Sequence, residues 1–315
     1  MLSRVGDALF WMSRYLERAE HMARAVDVTF QFTLDLHGVL SGPVELEWNA
    51  LLALLRMPPP PPSGGTTATS IPRWVLVDPR NAGNVLACVN RSRTNARSIR
   101  GSISPLMWRE LNKLHWRLAE PAFQARVVES PHDFCEETRI GVLLFHGVSE
   151  STLMHDEGWH FIQLGRSIER AEKVLRILES SAALLDATDP ADLPMAGLRW
   201  AAALRHCAAY EAYRRLTISR VEPERVVEFL LMNPDFPQSV RFCLDRIVDS
   251  LAEISGRLPE RCDDEASRTV GRLLADLVYL EPSDLDGPRL SAFLTDALVR
   301  CRRIGGLLQS RFALA

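Results

Sequence analysis

The chain has 315 residues, of which 47% are hydrophobic and 24% charged, so it can bury a full core and is not expected to be disordered. Its 37 basic and 40 acidic residues give a formal net charge of −3. Such a balanced composition gives no support to nucleic-acid binding or to attraction to an anionic membrane surface.

The first predicted element is a long helix that begins at Leu2. Apolar residues recur at alternating spacings of three and four from Leu2 to Thr33, which is the pattern of an apolar stripe on one helix face. Asp7 interrupts the apolar residues at the start of this segment, so we predict neither a signal peptide nor a membrane span.

A second long helix is predicted from Asp156, and it repeats the first at an offset of 152 residues, which places Leu9 on Phe161. The offset also matches charged residues. Arg14, Glu17, Arg18, Glu20 and Arg24 correspond to Arg166, Glu169, Arg170, Glu172 and Arg176. A shared core pattern alone would not align these charges, so we interpret the match as an internal duplication of about 150 residues.

The duplication predicts an all-α fold, a helical bundle of two tandem copies of a multi-helix unit related by pseudo-twofold symmetry. We expect a first repeat at 1–155 and a second at 156–315, together forming one compact domain. Within the first repeat, five consecutive prolines and a Gly-Gly pair predict a mobile loop at 57–70. The strand-like stretch Trp74–Val77 is expected in this loop region, and no sheet is predicted.

Six cysteines lie far apart without a CxxC pair, a pattern typical of reduced thiols in the cytoplasm. Glu157 and His160 have the Glu-x-x-His spacing of a di-iron ligand pair. The pair occurs once, and a di-iron site needs a second pair and two further glutamates. We therefore predict no metal.

The two sets of matched charges, which we call the Glu/Arg ladders, allow two interpretations. Ladders facing water would consist of ion pairs worth a few tenths of a kcal/mol each. Because sign and register are kept in both copies, a buried network is favoured, either structural or part of a ligand or partner site.

Two further groups are candidate binding residues. Arg97 and Arg100 share a helix face with Arg93 and could hold a phosphate or a carboxylate, or simply face solvent. Tyr210 and Arg214 could contact a ligand through their polar ends, but residues of this kind near a helix end also serve as half-buried packing.

The stretches Trp11–Glu20, Met154–Trp159 and Gly165–Glu172 resemble the alpha-E domain family of bacteria. The resemblance implies that Glu17 and Glu169, beside Arg18 and Arg170, form the motif of that family. It also implies an association with circularly permuted ATP-grasp proteins and transglutaminase-like proteins, and a role alongside amide-bond formation.

The chain has no glycine-rich phosphate loop before a helix. Any ATP and Mg²⁺ would therefore belong to the partner ATP-grasp protein, and no cofactor is expected on this chain. The resemblance thus favours a helical accessory partner of an amide ligase that holds an acidic or amino-acid-like substrate, a small zwitterion or a peptide, between the two ladders. The alternatives are a stand-alone enzyme that uses Glu17 and Glu169 as acid and base, and a purely structural scaffold.

Overall fold

The computed structural model describes residues 3–39, 44–61, 67–186, 193–217, 220–256, 264–281 and 287–311. These residues form helices and turns, and no strand occurs among them. The all-α prediction is confirmed.

The first half of the chain contains seven of the described α-helices. They are α1 (Ser3–Val39), α2 (Val44–Leu55), α3 (Thr67–Leu76), α4 (Val85–Ser98), α5 (Pro105–Ala119), α6 (Pro121–Ala125) and α7 (His132–Thr152). Short 3-10 turns follow α4 at Arg100–Ser102 and α6 at Arg126–Val128.

The second half contains another seven. They are α8 (Glu157–Asp186), α9 (Leu193–His206), α10 (Tyr210–Leu216), α11 (Pro223–Met232), α12 (Val240–Ser255), α13 (Glu265–Val278) and α14 (Gly287–Arg311).

Capping residues define where several helices begin. The side chain of Asn84 accepts a hydrogen bond from the backbone N–H of Ala87 at 2.6 Å, and that of Ser239 accepts one from Phe242 at 3.1 Å. These bonds satisfy backbone donors that have no partner inside the helix. At its other end α12 terminates at Gly256, whose φ of +62° favours glycine.

The helices form two compact units. One consists of residues 1–10 and 160–315, and the other of residues 11–159. Each long helix therefore contributes its first residues to one unit and its remainder to the other. In the unit that contains 1–10, a Cβ atom at Gly6 would lie 2.9 Å from the ring of Phe161, so the start of α1 approaches α8 closely. The repeat boundaries predicted at 155 and 156, their pseudo-twofold relation and their union in one domain stay predictions.

The predicted apolar stripes are buried on both long helices. On α1 these buried residues are Leu9, Met12, Leu16, Ala19, Ala23 and Val26. On α8 they are Phe161, Leu164, Ile168, Ala171, Leu175 and Leu178. Burying this many apolar side chains supplies the main stabilising contribution of each helix.

The proline-rich loop is shorter than the predicted 57–70. Helix α3 begins at Thr67, and Trp74, which was expected in a strand-like loop segment, lies in this helix. Trp74 is buried with Ile71 and Val75, at helical spacing, so packing of one helix face overrides the β propensity of the segment. Its indole N–H donates to the carbonyl oxygen of Pro58 at 2.9 Å, which anchors the start of the proline run. Residues 62–66 lie outside the described residues.

In the unit formed by residues 11–159, α5 packs against both α4 and α7. The Leu114 side chain of α5 packs closely on Gly141 of α7, where an added Cβ would lie 2.5 Å from one of its methyl carbons. Gly147, two turns further along α7, has open space in the same position.

This difference predicts the outcome of a matched pair of substitutions. Gly141→Val should lower the free energy of unfolding by about 1–3 kcal/mol relative to Gly147→Val, because both add the same side chain to one helix and the first overpacks a buried contact. Chemical denaturation of the two variants measures this difference. Equal free energies would contradict the close α5–α7 contact.

Candidate functional site

The Glu/Arg ladder of α1 is largely buried in the unit formed by residues 11–159. The side chain of Glu17 is 2% exposed, and Arg14 and Glu20 are also buried. Arg18 and Arg24 are half-buried. A charged group in such a position needs partners that replace its lost hydration.

The corresponding ladder of α8 is buried in the other unit. Glu169 is 2% exposed and Glu172 is buried. Arg166, Arg170 and Arg176 are half-buried. The Arg170 guanidinium donates to the carbonyl oxygen of Pro237 at 3.5 Å. The alternative of ladders that face water is therefore wrong, and the burial expected of Glu17 and Glu169 is confirmed.

Glu17 lies beside a histidine that the sequence alone did not identify. The Nε2 atom of His146, on α7, is 3.6 Å from Oε2 of Glu17, and both side chains are buried. His21, one turn further along α1, is buried as well. An arginine partner for Glu17 and for Glu169 stays a prediction.

Glu20 has one paired and one unpaired carboxylate oxygen. Nε of Arg24 donates to Oε1 of Glu20 at 2.8 Å. The buried Oε2 atom has no hydrogen-bond partner within the part of the chain that the structure describes. A buried acceptor without a donor is costly, so this oxygen is a position where an N–H group of a ligand would be stabilised.

In the other unit, the residue that corresponds to His21 is Lys173. Its ammonium group is buried and donates to Oε1 of Gln238 at 2.7 Å. Gln163, one turn before the ladder, is buried, and its Nε2 atom has no hydrogen-bond partner among the described residues. Both ladders are thus surrounded by polar groups removed from water.

A family model described as a predicted alpha-helical domain with a conserved ER motif matches residues 1–312. The chain belongs to the Alpha-E family. Glu17-Arg18 and Glu169-Arg170 are the Glu-Arg pairs that both long helices share, and in both the glutamate is buried and the arginine half-buried.

Relatives of this Alpha-E chain occur in mycobacteria. A protein of Mycobacterium bovis and one of Mycobacterium tuberculosis, each named an uncharacterized protein, are 26% identical to it over 91% of its length. A further M. tuberculosis protein of the same description is 25% identical. The chain spans about a third of the length of these relatives, 34% in each case. No solved structure matches it.

A further buried charge on α1, that of Asp27, was missed by the sequence analysis. The carboxylate of Asp27 lies 2.7 Å from Nδ1 of His132 and accepts a hydrogen bond from Arg139 at 2.8 Å. Asp27 is buried, and both partners lie on α7. The internal repeat could have pointed to Asp27, because this residue corresponds at the offset of 152 to another acidic residue, Glu179. Glu179 accepts a hydrogen bond from Thr295 at 3.1 Å.

The remaining candidate residues of this Alpha-E chain lie on exposed or packing positions. Arg97 and Arg100 are exposed, and the Arg100 guanidinium lies 4.9 Å from the ring centroid of Trp108. Tyr210 is half-buried beneath the guanidinium of Arg205, at 4.9 Å, as in the packing interpretation. Arg214 is exposed.

The described cysteines are buried, and His160 of the Glu-x-x-His pair contacts a serine. The five described cysteines are free and buried, and burial raises the pKa of the Cys135 and Cys301 thiols, so these two stay protonated. His160 contacts Ser250 at 3.4 Å. Among the described residues, no three His, Cys, Asp or Glu side chains converge on a metal position.

None of the helices that the structure describes is both long enough and apolar enough to cross a bilayer.

Glu17→Ala should be strongly destabilising. We expect a loss of about 3–5 kcal/mol, because the substitution leaves the buried polar groups around Glu17 without their carboxylate. Glu222→Ala is the matched control, since Glu222 pairs with Arg225 at 2.7 Å in an exposed position and should contribute less than about 1 kcal/mol. Denaturation midpoints of the two variants decide this, and similar losses would contradict a buried ladder.

The Asp27–His132 contact should make stability depend on pH. The hydrogen bond to Asp27, helped by the nearby charges of Asp27 and Glu136, raises the pKa of His132 above 6.5, against the opposing effects of burial and Arg139. The contact therefore stabilises the folded chain fully below pH 6.5, the pKa of this histidine in the unfolded chain. This stabilisation is lost as the pH rises through the higher pKa of His132 in the folded chain.

The measurement compares wild type with His132→Gln by chemical denaturation from about pH 5.5 to 8.5, a window set by the ordinary histidine pKa. The difference in unfolding free energy should be largest at the acidic end and shrink towards the basic end. His155→Gln, at an exposed histidine, is the control. A difference that grows with pH would contradict the assignment.

Proposed function

We propose that this Alpha-E chain is a helical accessory protein that works with an ATP-grasp-type amide ligase and binds an acidic or amino-acid-like ligand at its Glu/Arg ladders. The observation that carries the proposal is the burial of charged side chains on both long helices, with the unpaired Oε2 atom of Glu20 among them. Burying charged side chains lowers the free energy of unfolding relative to an apolar core of the same size. We therefore expect the buried charges to serve a function.

The chemistry of the α1 ladder supports a ligand that carries both charges. An ammonium or amide N–H could donate to Oε2 of Glu20, while the half-buried Arg24, which lies on the same helix face and contacts Oε1 of Glu20, could hold a carboxylate. An amino acid or the end of a peptide has both groups. This agrees with a role beside amide-bond formation, which joins such molecules.

The length of the relatives supports an accessory role. About two thirds of each relative lies outside the region that matches this chain, since the match covers 34% of its length. A helical unit that is joined to further chain in its relatives is well suited to act with another protein. ATP and Mg²⁺ would be bound by that partner.

The proposal includes the two tandem copies and their pseudo-twofold relation. In support, α4 and α12 begin 155 residues apart, at Val85 and Val240. Their caps, Asn84 and Ser239, are separated by the same number of residues and make the same type of bond. A duplicated ladder would offer two equivalent half-sites, one on each long helix.

The direct test uses the full chain and an ATP-grasp protein from the same organism. We expect the tagged chain to co-purify with that protein and to increase its ATP-dependent ligase activity, measured as ADP release with amino-acid substrates. Glu20→Gln should weaken the increase, and Glu222→Gln, at an exposed position, should not. Absence of both co-purification and any change in activity would exclude the accessory role.

Ligand binding is tested separately by calorimetry with amino acids and short peptides. Binding should weaken with added salt and with Arg24→Lys, because lysine cannot make the paired hydrogen bonds of a guanidinium. Arg272→Lys, on the exposed side of α13, is the control and should leave binding unchanged. If no ligand gives heat, the ladders form a structural network.

A further inference from the structure

Helix α7 exposes a row of apolar side chains in the unit formed by residues 11–159. Ile140 is 56% exposed, Leu143 55% and Leu144 45%. Their spacing of three and four residues places them on one helix face, which Gly147 continues with open space around it. Single exposed apolar residues are common, but a continuous row of large ones on one helix marks an interaction surface.

The neighbouring helix α5 extends this surface with basic side chains. Lys113 and Arg117 are exposed, and they flank Leu114, which packs beneath them against Gly141 of α7. Arg117 pairs with Glu120 at 2.7 Å, and its Nε lies 4.0 Å from a carboxylate oxygen of Glu137 on α7, so the outer sides of the two helices are continuous. Lys113 and Arg117 therefore lie along one side of the apolar row of α7.

The basic character continues across α5 to α4. Between Arg91 and Arg117 the sequence has seven basic residues and a single acidic one, Glu110. That carboxylate is largely buried and pairs with Arg109 at 3.0 Å. Trp116 is 61% exposed beside this row, with the Arg93 guanidinium 5.4 Å from its ring centroid. Tryptophan and arginine are the residues most enriched at the centres of protein interfaces.

Three classes of partner would be attracted by basic and apolar groups together: an anionic membrane, a nucleic acid and an acidic protein. Glu136 and Glu150 are exposed near the two ends of the apolar row. A continuous anionic lipid surface would be repelled by both, whereas a single docked helix can place uncharged residues opposite them. A nucleic acid would use the arginines and Trp116 but would have no use for the aliphatic row. The pattern is matched best by a protein surface that is itself part apolar and part acidic.

We propose that the outer face of α5 and α7 docks an amphipathic, acidic helix of a partner protein. The apolar stripe of that helix lies along Ile140, Leu143 and Leu144, and the open space at Gly147 lets it approach closely. Its acidic residues face Lys113 and Arg117. This docking mode depends only on the surface of α5 and α7, and it holds whether or not the partner is a ligase.

The test measures binding of synthetic helical peptides to the full chain by fluorescence anisotropy. The probe is a peptide of about 20 residues with leucine at helical spacing and glutamate along one flank, a design that follows the helix-in-groove mode. The matched peptides replace glutamate with lysine, or scramble the order of the same residues. We expect only the ordered acidic peptide to bind, and its affinity to fall as salt is raised.

Two variants and two controls assign the binding to this face. Leu144→Glu and Arg117→Glu should each weaken the acidic peptide at least about 10-fold, as expected for interface positions of this kind. Leu216→Glu and Arg272→Glu, at exposed positions of α10 and α13, should change it little. Circular dichroism of each variant shows that the fold is kept.

Several outcomes would overturn the proposal. They are no binding of the acidic peptide, equal binding of the scrambled peptide, and loss of binding in the α10 and α13 controls as well. If the wild-type chain does not bind the peptide but co-sediments with phosphatidylglycerol vesicles, and Leu144→Glu and Arg117→Glu abolish this co-sedimentation, the face binds a membrane. Retention of a labelled oligothymidylate under the same conditions would assign it to nucleic acid.

Discussion

The burial of charged side chains on the two long helices is the constraint on which the rest of the structure depends. An apolar stripe would be enough to hold α1 and α8 in a core, yet both helices also carry glutamates that are almost fully removed from water. Each such carboxylate loses hydration that only nearby donors can replace. The surrounding helices must therefore provide polar groups at fixed places as well as apolar surface.

In the unit formed by residues 11–159, α4 and α7 both make polar contacts with α1. Ser92 of α4 donates to the carbonyl oxygen of Met12 at 2.9 Å, within the buried part of α1. Helix α7 presents His146 to Glu17, and His132 and Arg139 to Asp27. Glu17 and Asp27 are almost three turns apart on α1, so two separate polar contacts fix how α7 lies along it. Apolar packing alone would allow the helices to slide more freely.

Most of the fold class and part of the site could be predicted from the sequence. The apolar spacing of α1 and α8 predicted both helices, and the matched charges predicted that Glu17 and Glu169 are buried. Asp27 was missed because its partners, His132 and Arg139, lie more than 100 residues away and no local pattern joins them. Helix α3 was missed because Trp74 has strand propensity, and its burial against other helices cannot be seen in the sequence.

Composition also concealed how charge is distributed. The balanced net charge of −3 argued against a basic surface, but the segment from Arg91 to Arg117 is strongly basic because acidic residues are concentrated elsewhere. The apolar row of α7 was hidden for a related reason. Ile140, Leu143 and Leu144 have the spacing of a core-facing stripe, and only the structure shows that nothing in the described chain covers them.

Helix α7 connects the two features of this unit that have the character of binding sites. Its inner face carries His146 against Glu17, and its outer face carries the apolar row that includes Leu143 and Leu144. Gly147, directly after His146, lies on that outer face with open space around it. A helix moves as a rigid element over such short distances, so a partner that shifts α7 on docking must also move His146 relative to the carboxylate of Glu17. The His146–Glu17 contact and the exposed apolar row thus lie on opposite faces of the same helix.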